Sequence, residues 1–480
     1  MKINAKSSGL PLLFLYVCRP KFHAMKETIC AISTPPGIGA IAIVRTSGTD
    51  SFPIAAQLFP QLDLLALPPQ NARFAQLFDN GQLLDQVVVT KFAAPKSYTG
   101  EDMVEISCHG SIFIQKHIVE LLVEKGCRLA EPGEFTQRAF LNGKLDLPQA
   151  EAVADLIESQ SETTHRLAIH QLRGEFSNRM RQLREHFVHI ASLLELELDF
   201  SEEDLEFADR SELKALLDEI SEEVSRLIRS FKLGNVLKRG IPVAIVGRPN
   251  VGKSTLLNAI LQQDRAIVSP IPGTTRDTVE ETFTIDGTLF RFIDTAGLRQ
   301  SEDTIENIGI ERTRRAVEQA TVVLYLVDAS NTTLDAARAE MREFSENASL
   351  QDKELVIVAN KIDELESLPA DYKEWHDMGT LFVSAKRRVN LGDIEERLAD
   401  YVKRHHIQDL SLLTNERHYA LLCDIETAIG RIQEGLETQL PTDLVAEEVR
   451  AALHDIGLLT GAISSDDLLD HVFSKFCIGK

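Results

Sequence analysis

The residues with most chemistry to offer lie between 240 and 403. Gly247-Arg-Pro-Asn-Val-Gly-Lys-Ser254 reads G-x-x-x-x-G-K-S, behind the apolar run Ile241–Val246 and ahead of a helical pattern carrying Leu256, Leu257 and Ile260. Glycines in such a loop let backbone N–H groups curl around phosphate oxygens, and the helix N-terminus adds a favourable dipole. Lys253 is then placed to reach β- and γ-phosphates and the Ser254 hydroxyl to bind Mg²⁺, with Asn250, Val251, Gly252 and Thr255 completing the cradle. A glycine turn before a helix is the plainer reading of this run alone. It explains neither Lys253-Ser254 nor the residues that follow.

Downstream, Gly273-Thr-Thr-Arg-Asp277 sits in a loop rich in proline and glycine, where Thr274 or Thr275 can sense a γ-phosphate and add a ligand to Mg²⁺. The run Phe290–Ile293 ends in Asp294-Thr295-Ala296-Gly297; the aspartate can hold the magnesium shell and the glycine N–H can bond the γ-phosphate. Asn360-Lys361-Ile362-Asp363 selects the base. The Asp363 carboxylate can accept from guanine N1–H and N2–H₂, whereas adenine would leave it buried and unpaired, a strong form of rejection. Ser384-Ala385-Lys386 can cover the guanine carbonyl. These motifs, in this order, are those of a P-loop GTPase.

Elements able to position these residues are readable too. Val322–Val327, Glu354–Ala359 and Leu381–Val383 are further short apolar runs that read as strands, so each motif follows a strand. A mostly parallel sheet with helices on both faces is expected, its ligand at the carboxyl ends of the strands. One departure stands out. Leu298 occupies the place where Ras-like proteins have a water-orienting glutamine, so hydrolysis is feeble or another group replaces it. Glu302, Asp303 and Glu306 are candidates on the same loop; spacing alone favours a solvated acidic loop.

Outside this unit, the chain divides by composition. Met25 to about Lys144 is mixed α/β, with strands expected at Ile41–Val44, Val87–Val89 and Val104–Cys108, a helix from Ile112 to Lys125, and turns at Pro35-Pro36-Gly37, Asp79-Asn80-Gly81 and Pro132-Gly133. From 144 to 239 glycine and proline almost vanish and leucines recur at helical spacing; the segment 404–480 is helical again. Neither helical piece looks self-sufficient, so a split helical domain carrying an inserted G domain at 240–403 is expected. A stretch from His165 to His189 carries Arg166, Arg173, Arg179, Arg181 and Arg184 against only Glu175 and Glu185. It reads as an RNA-phosphate contact or a solvated helix face.

The net charge of −22 argues against broad nonspecific nucleic-acid binding. No apolar run reaches the length of a membrane span. Six cysteines without a C-x-x-C pair suit free thiols in a reducing cytoplasm. Leu10–Cys18 faintly imitates a signal peptide, but Pro11 and the lack of a cleavage site favour an upstream extension over 1–24, with translation starting at Met25.

With these residues in hand, the chain resembles the MnmE (TrmE) family of tRNA-modification GTPases. The resemblance runs from Met25 to Lys480 and rests on Pro35-Pro-Gly, Tyr98-Thr-Gly-Glu-Asp102, His109-Gly110, Pro132-Gly-Glu-Phe135, Arg138-Ala-Phe-Leu-Asn142, Lys144-Leu-Asp-Leu147, the phosphate motifs and the terminal Phe476-Cys-Ile-Gly-Lys480. It implies a folate-binding-like N-terminal α/β domain (25–143) that mediates homodimerisation and binds 5-formyl-tetrahydrofolate or a related one-carbon folate through Arg45, Glu105, Lys144 and Lys480. Without the resemblance these four would pass as surface charges, although Glu105 does interrupt an apolar strand. It further implies K⁺ held by Asn250 and the Ser269–Thr274 loop (Ser269, Ile271, Thr274), Mg²⁺ on Ser254 and Thr275, and Glu306 as the catalytic acidic residue that positions the attacking water. Ser269 departs from the threonine expected there, harmlessly if a backbone carbonyl makes the contact.

A flavin-dependent partner, MnmG, is implied as well, the two together adding a carboxymethylaminomethyl or aminomethyl group at C5 of the wobble uridine of certain tRNAs in the cytoplasm. The terminal Cys-Ile-Gly-Lys fits a prenylation box poorly. A tail bringing Lys480, and Cys477 as a possible reactive thiol, towards the folate site fits better. A switch or assembly GTPase shares such a G domain but has no evident need of the N-terminal domain or the tail. A degenerate structural protein is disfavoured by intact Lys253, Ser254, Asp294 and Asp363.

Overall fold

The computed structural model describes residues 27–199, 210–262, 281–293, 314–347, 350, 353–367, 371–405 and 412–480. Outside them lie residues 1–24 and the singled-out Ser269, Ile271, Thr274, Thr275, Arg276, Asp294, Thr295, Ala296, Gly297, Leu298, Glu302, Asp303 and Glu306. The chain forms two compact units: Met1–Ala154 with Gln171–Ser221 and Leu421–Lys480, and Asp155–His170 with Glu222–Ala420. Its fold class is α/β plus α.

In the first unit, β1 (Ile29–Ile32), β2 (Ile41–Ser47), β3 (Asn71–Asp79), β4 (Gln82–Phe92), β5 (Met103–His109) and β6 (Arg128–Leu129) form a sheet in the order β3-β4-β5-β2-β1-β6. Only β1 and β6 run parallel. The expected Asp79-Asn80-Gly81 turn closes the β3–β4 hairpin. Asn80 (φ 47°) and Gly81 (φ 80°) both take the positive φ that a two-residue hairpin turn matching the strand twist requires. Along β4, Val87 and Val89 point inward between exposed Gln86 and Val88. The inward face packs on the helices Ser51–Ala56 and Ile112–Glu124 through Ile54, Ala55, Ile118, Leu121 and Leu122. Each fully buried aliphatic side chain there contributes about 1.5–3 kcal/mol.

Helices complete this unit. In Glu175–Asp199 the residues Met180, Leu183, Phe187, Ile190 and Leu194 are buried, a repeat of three and four that makes one apolar stripe. That helix packs along Thr442–Thr460, and Thr442 Oγ1 donates to Glu197 Oε1 at 3.2 Å.

The second unit holds β7 (Ile241–Gly247), β8 (Glu281–Ile285), β9 (Thr288–Phe292), β10 (Val322–Asp328), β11 (Glu354–Asn360) and β12 (Leu381–Phe382), ordered β12-β11-β10-β7-β9-β8. All pairings are parallel except β8–β9. Its central strands read as unbroken apolar runs because both faces are covered. Val243 and Ile245 pack on one face with Leu256, Leu257 and Leu398; Ala244 and Val246 pack on the other with Val317, Tyr325 and Trp375. Since β7, β10, β11 and β12 run in one direction, Gly247, Asp328, Asn360 and Phe382 share one edge of the sheet. Strand β8 was not foreseen, although the Asp286-Gly287 turn before β9, at φ 44° and 74°, is a hairpin signal.

Candidate functional site

At the end of β7 the backbone turns through Gly247 (φ 146°), Asn250 (φ 63°) and Gly252 (φ 97°) before the helix Lys253–Leu261 begins. Packing as well as conformation requires the two glycines. A Cβ on Gly247 would lie 2.3 Å from the Leu326 carbonyl oxygen, and one on Gly252 2.4 Å from Asn360 Nδ2. The loop thus lies close against β10 and β11. Lys253 Nζ donates to the loop's own carbonyls, Gly247 at 2.9 Å and Arg248 at 2.8 Å, and burial lowers its pKa. These are weak substitutes for phosphate oxygens, and an ammonium inside a glycine-lined turn at a helix N-terminus suits an anionic phosphate chain. Ser254 and Thr255 open that helix.

Asn360 is 2% exposed and spends both ends of its amide on the scaffold. Its Nδ2 donates to Val251 O at 2.8 Å, and its Oδ1 accepts from Ala385 N–H at 3.0 Å. One side chain therefore joins the phosphate loop to the Ser384–Lys386 loop. Lys361 stands at φ 69°, and a short 3₁₀ turn, Ile362–Glu364, follows. The Ser384 hydroxyl donates to Asp363 Oδ1 at 2.6 Å, and this bond, ahead of a smaller contribution from Arg387, holds the carboxyl below its usual pKa. Arg387 Nε is 3.7 Å from Asp363 Oδ2. An ionised, pre-oriented carboxylate at that point can accept two donors from a base edge. Asn250, Val251, Gly252, Lys253, Ser254, Thr255, Asn360, Lys361, Asp363, Ser384, Ala385 and Lys386 are all placed along this edge; the remaining nucleotide and cation residues fall outside the described ones.

A second polar cluster lies in the first unit. Arg45 and Glu105 are cross-strand neighbours in β2 and β5. Arg45 Nε donates to Glu105 Oε1 at 2.9 Å, a second guanidinium nitrogen lies 2.7 Å from the same oxygen, and a third donates to Gly479 O at 3.5 Å. The guanidinium also lies 5.4 Å from the Tyr98 ring centre and 5.6 Å from that of Phe135. Burial raises the Tyr98 pKa, and its hydroxyl meets Thr136 Oγ1 at 2.8 Å.

The C-terminal tail is seated here by its backbone. Gly133 N–H donates to Cys477 O, Ile478 bridges Pro132, and Phe135 N–H donates to Lys480 O. Gly479 (φ 92°) passes so close to β1 that a Cβ would lie 2.2 Å from Ile32 O, while the Cys477 side chain is on an exposed residue. Three of the four residues implied for folate are thereby gathered: Arg45, Glu105 and Lys480. Lys144 is reached through the 95–100 loop, its Nζ donating to Pro95 O at 3.1 Å.

Ser33 Oγ, beside Gly479, is buried without a hydrogen-bond partner among the described residues. An aromatic wall, a cation, a carboxylate and an orphan hydroxyl form a set that suits a flat, hydrogen-bonding ring with acidic groups. The ion pair means that such a ligand must share Arg45 with Glu105.

In the same unit, Arg138 is 2% exposed and donates to Glu101 at 3.0 Å, Glu134 at 2.9 Å and the Glu27 carbonyl at 3.0 Å. Tyr98, Phe135 and Arg138 entered the sequence reading only as parts of matching stretches. A buried arginine is not recognisable from its neighbours in sequence. No group of three or more His, Cys, Asp or Glu side chains able to hold a metal exists among the described residues, and none of their helices is long and apolar enough to cross a membrane.

Comparison with known proteins gives the family. The MnmE helical domain model matches residues 147–477, and the model for the GTP-binding protein TrmE N-terminus matches residues 28–144. The tRNA modification GTPase MnmE of Cytophaga hutchinsonii is 48% identical over 455 residues, covering 95% of this chain and 98% of the relative. That of Christiangramia forsetii is 48% identical over 479 residues, covering 95% and 100%. Among solved structures, the G domain of the T. maritima FeoB iron transporter matches 34% of this chain and 98% of its own at 25% identity, with a TM-score of 0.25, too low to add to the assignment. On two matching domain models and near-full-length identity, this chain belongs to the family of the tRNA modification GTPase MnmE.

Proposed function

We propose that this protein is a GTP hydrolase of tRNA modification, built as an N-terminal folate-binding and dimerisation domain (25–143), a helical domain in two parts (144–239 and 404–480) and an inserted G domain (240–403). Its finer task is to act in the cytoplasm, as a homodimer and with a flavin-dependent partner of the MnmG kind, in adding a carboxymethylaminomethyl or aminomethyl group at C5 of the wobble uridine. The observation that carries this reading is 48% identity across 95% of the chain to relatives bearing that name. The placement of Asp363 and Lys253 on one sheet edge supports it.

In this reading Asp363 takes the guanine edge, Asn360 holds the loops on either side together, and Lys253 leaves its loop carbonyls for the β- and γ-phosphates. Mg²⁺, on Ser254 and Thr275, and K⁺, on Asn250 and the 269–274 loop, would supply positive charge where negative charge develops. Glu306 orients the attacking water in place of the glutamine that Leu298 excludes. In the first unit Arg45, Glu105, Lys144 and the tail through Lys480 hold a one-carbon folate, with Cys477 nearby as a candidate thiol. Nucleoside analysis of tRNA from a deletion strain tests the whole. Wobble uridine lacking its C5 group, restored by the wild-type gene, is expected; full modification in the deletion strain would refute it.

A further inference from the structure

Asp328 is a charged residue on the pocket's edge to which the nucleotide reading gives no task. It ends β10 and stands opposite Asn360 in the parallel ladder. It is 9% exposed, and a carboxylate so placed is costly unless it is paired. Four donors meet it. Its Oδ1 accepts from Ser330 N–H at 3.0 Å and Ser330 Oγ at 2.6 Å; its Oδ2 accepts from Lys361 Nζ at 2.7 Å and Asn331 Nδ2 at 3.3 Å. Burial pushes its carboxyl up, but the hydrogen bonds, that from Lys361 foremost, outweigh burial and hold it at about 2. The following turn closes on the same residue, with Asn331 and Thr332 N–H donating to its carbonyl at 3.3 and 3.0 Å. Asp328 is a fixed anion.

Lys361 is the more exposed half of the pair, its side chain 26% exposed against 12% for Asp328. Its neighbours in the motif are anchored elsewhere, Asn360 on Val251 and Ala385, and Asp363 on Ser384. Among the described residues, Asp328 is the group that fixes the lysine head. A lysine held by its head presents a fixed methylene stem, an apolar surface of the kind a purine face can lie against. We propose that Asp328 is a positioning residue for guanine-nucleotide binding, tethering the Lys361 ammonium so that its stem forms a standing wall beside the base slot read by Asp363. This rests on the guanine-nucleotide reading above.

The test is GDP and GTP binding to the full chain, with KM and kcat for GTP, in wild type, Asp328→Asn, Lys361→Met and the double variant. Losing the charge of one tether should weaken GDP and GTP equally, by about tenfold. The loss should fall on KM, with kcat changing by a smaller factor, and the double variant should be no weaker than Lys361→Met by more than about twofold. Effects that multiply in the double variant, or unchanged affinity in a folded Asp328→Asn, would overturn the proposal. Should Asp328→Asn not fold, Ser330→Ala loosens the carboxylate without touching Lys361. Weaker binding of both nucleotides by about twofold to threefold supports the tether, and unchanged binding removes it. A wild-type chain that binds no guanine nucleotide would sink the nucleotide reading and this inference with it. Wild-type binding with a silent Asp328→Asn sinks this inference alone.

Discussion

In the nucleotide pocket, each described polar partner sits at or just beyond the end of a parallel strand and belongs to one of the sequence motifs: Lys253 on Gly247 and Arg248, Asp363 on Ser384, Asn360 between Val251 and Ala385. Around Arg45 the partners come from the whole chain: Glu105 across a strand pair, Tyr98 from a loop, Phe135 from a helix start and Gly479 from the tail. The first site is made by backbone shape at one sheet edge. The second is made by docking. A backbone-made site should lose function stepwise, with individual side chains. A docked site should lose it when the docked segment is displaced, whatever its side chains.

Four measurements bear on that contrast. The largest effect is expected at Glu306, which lies outside the described residues. Glu306→Ala should bind GTP yet turn it over about 10²–10⁴ times more slowly, as for removal of a positioned acid–base group; near-normal turnover would remove it from the mechanism. In the same assay K⁺ should exceed Na⁺, and Asn250→Ala should lose that preference.

Next comes Asp363→Asn, which exchanges an acceptor-only group for an amide. The GTP dissociation constant should rise by about tenfold or more, with xanthosine triphosphate partly rescued. Folate affinity should stay unchanged. A GTP affinity like wild type would mean that the motif does not read the base.

Third, Gly479→Ala probes the docked site without removing a functional side chain. A Cβ 2.2 Å from Ile32 O at φ 92° must displace the tail. We expect binding of 5-formyl-tetrahydrofolate to weaken by about tenfold, the scale of one lost charged hydrogen bond, and GTP hydrolysis to be nearly intact. Deleting Cys477–Lys480 should do the same and abolish modification. Wild-type folate affinity in both variants would show that docking of the tail is incidental to the site.

The smallest effect serves as a control on both. Arg181 and Arg184 are exposed on the Glu175–Asp199 helix, and Arg181 is bonded to Asn178 rather than to a carboxylate. Changing both to glutamine should leave GTP turnover and folate affinity alone. If they meet tRNA phosphates, the slope of log affinity against log salt should fall by about 1.5–2. An unchanged slope would make this a solvated helix face.

Legibility from sequence follows the same division. Ile241–Val246, Val322–Val327 and Glu354–Ala359 read as strands because burial on both faces leaves no polar interruption, and all three form. Strand β8 escaped because Glu281, Thr282 and Thr284 on an antiparallel edge break the apolar run. Asp328 escaped as well: an aspartate after a strand looks like any turn residue until Lys361, 33 positions on, is seen to donate to it.

The order of phosphate and base motifs, the helical stretches and the expectation that Asn360–Asp363 reads a guanine base come from the residues alone. Each depends on spacing within a few positions, where backbone geometry links sequence directly to shape. Only the tertiary structure decided that Arg45 is already paired with Glu105, that Tyr98 and Phe135 wall them, that Gly479 lies against Ile32, and that Lys361 is tied to Asp328. These contacts join residues tens to hundreds of positions apart. Which of many possible charges or aromatic rings meet is settled by strand register and the packing of whole elements, to which no single residue type is specific.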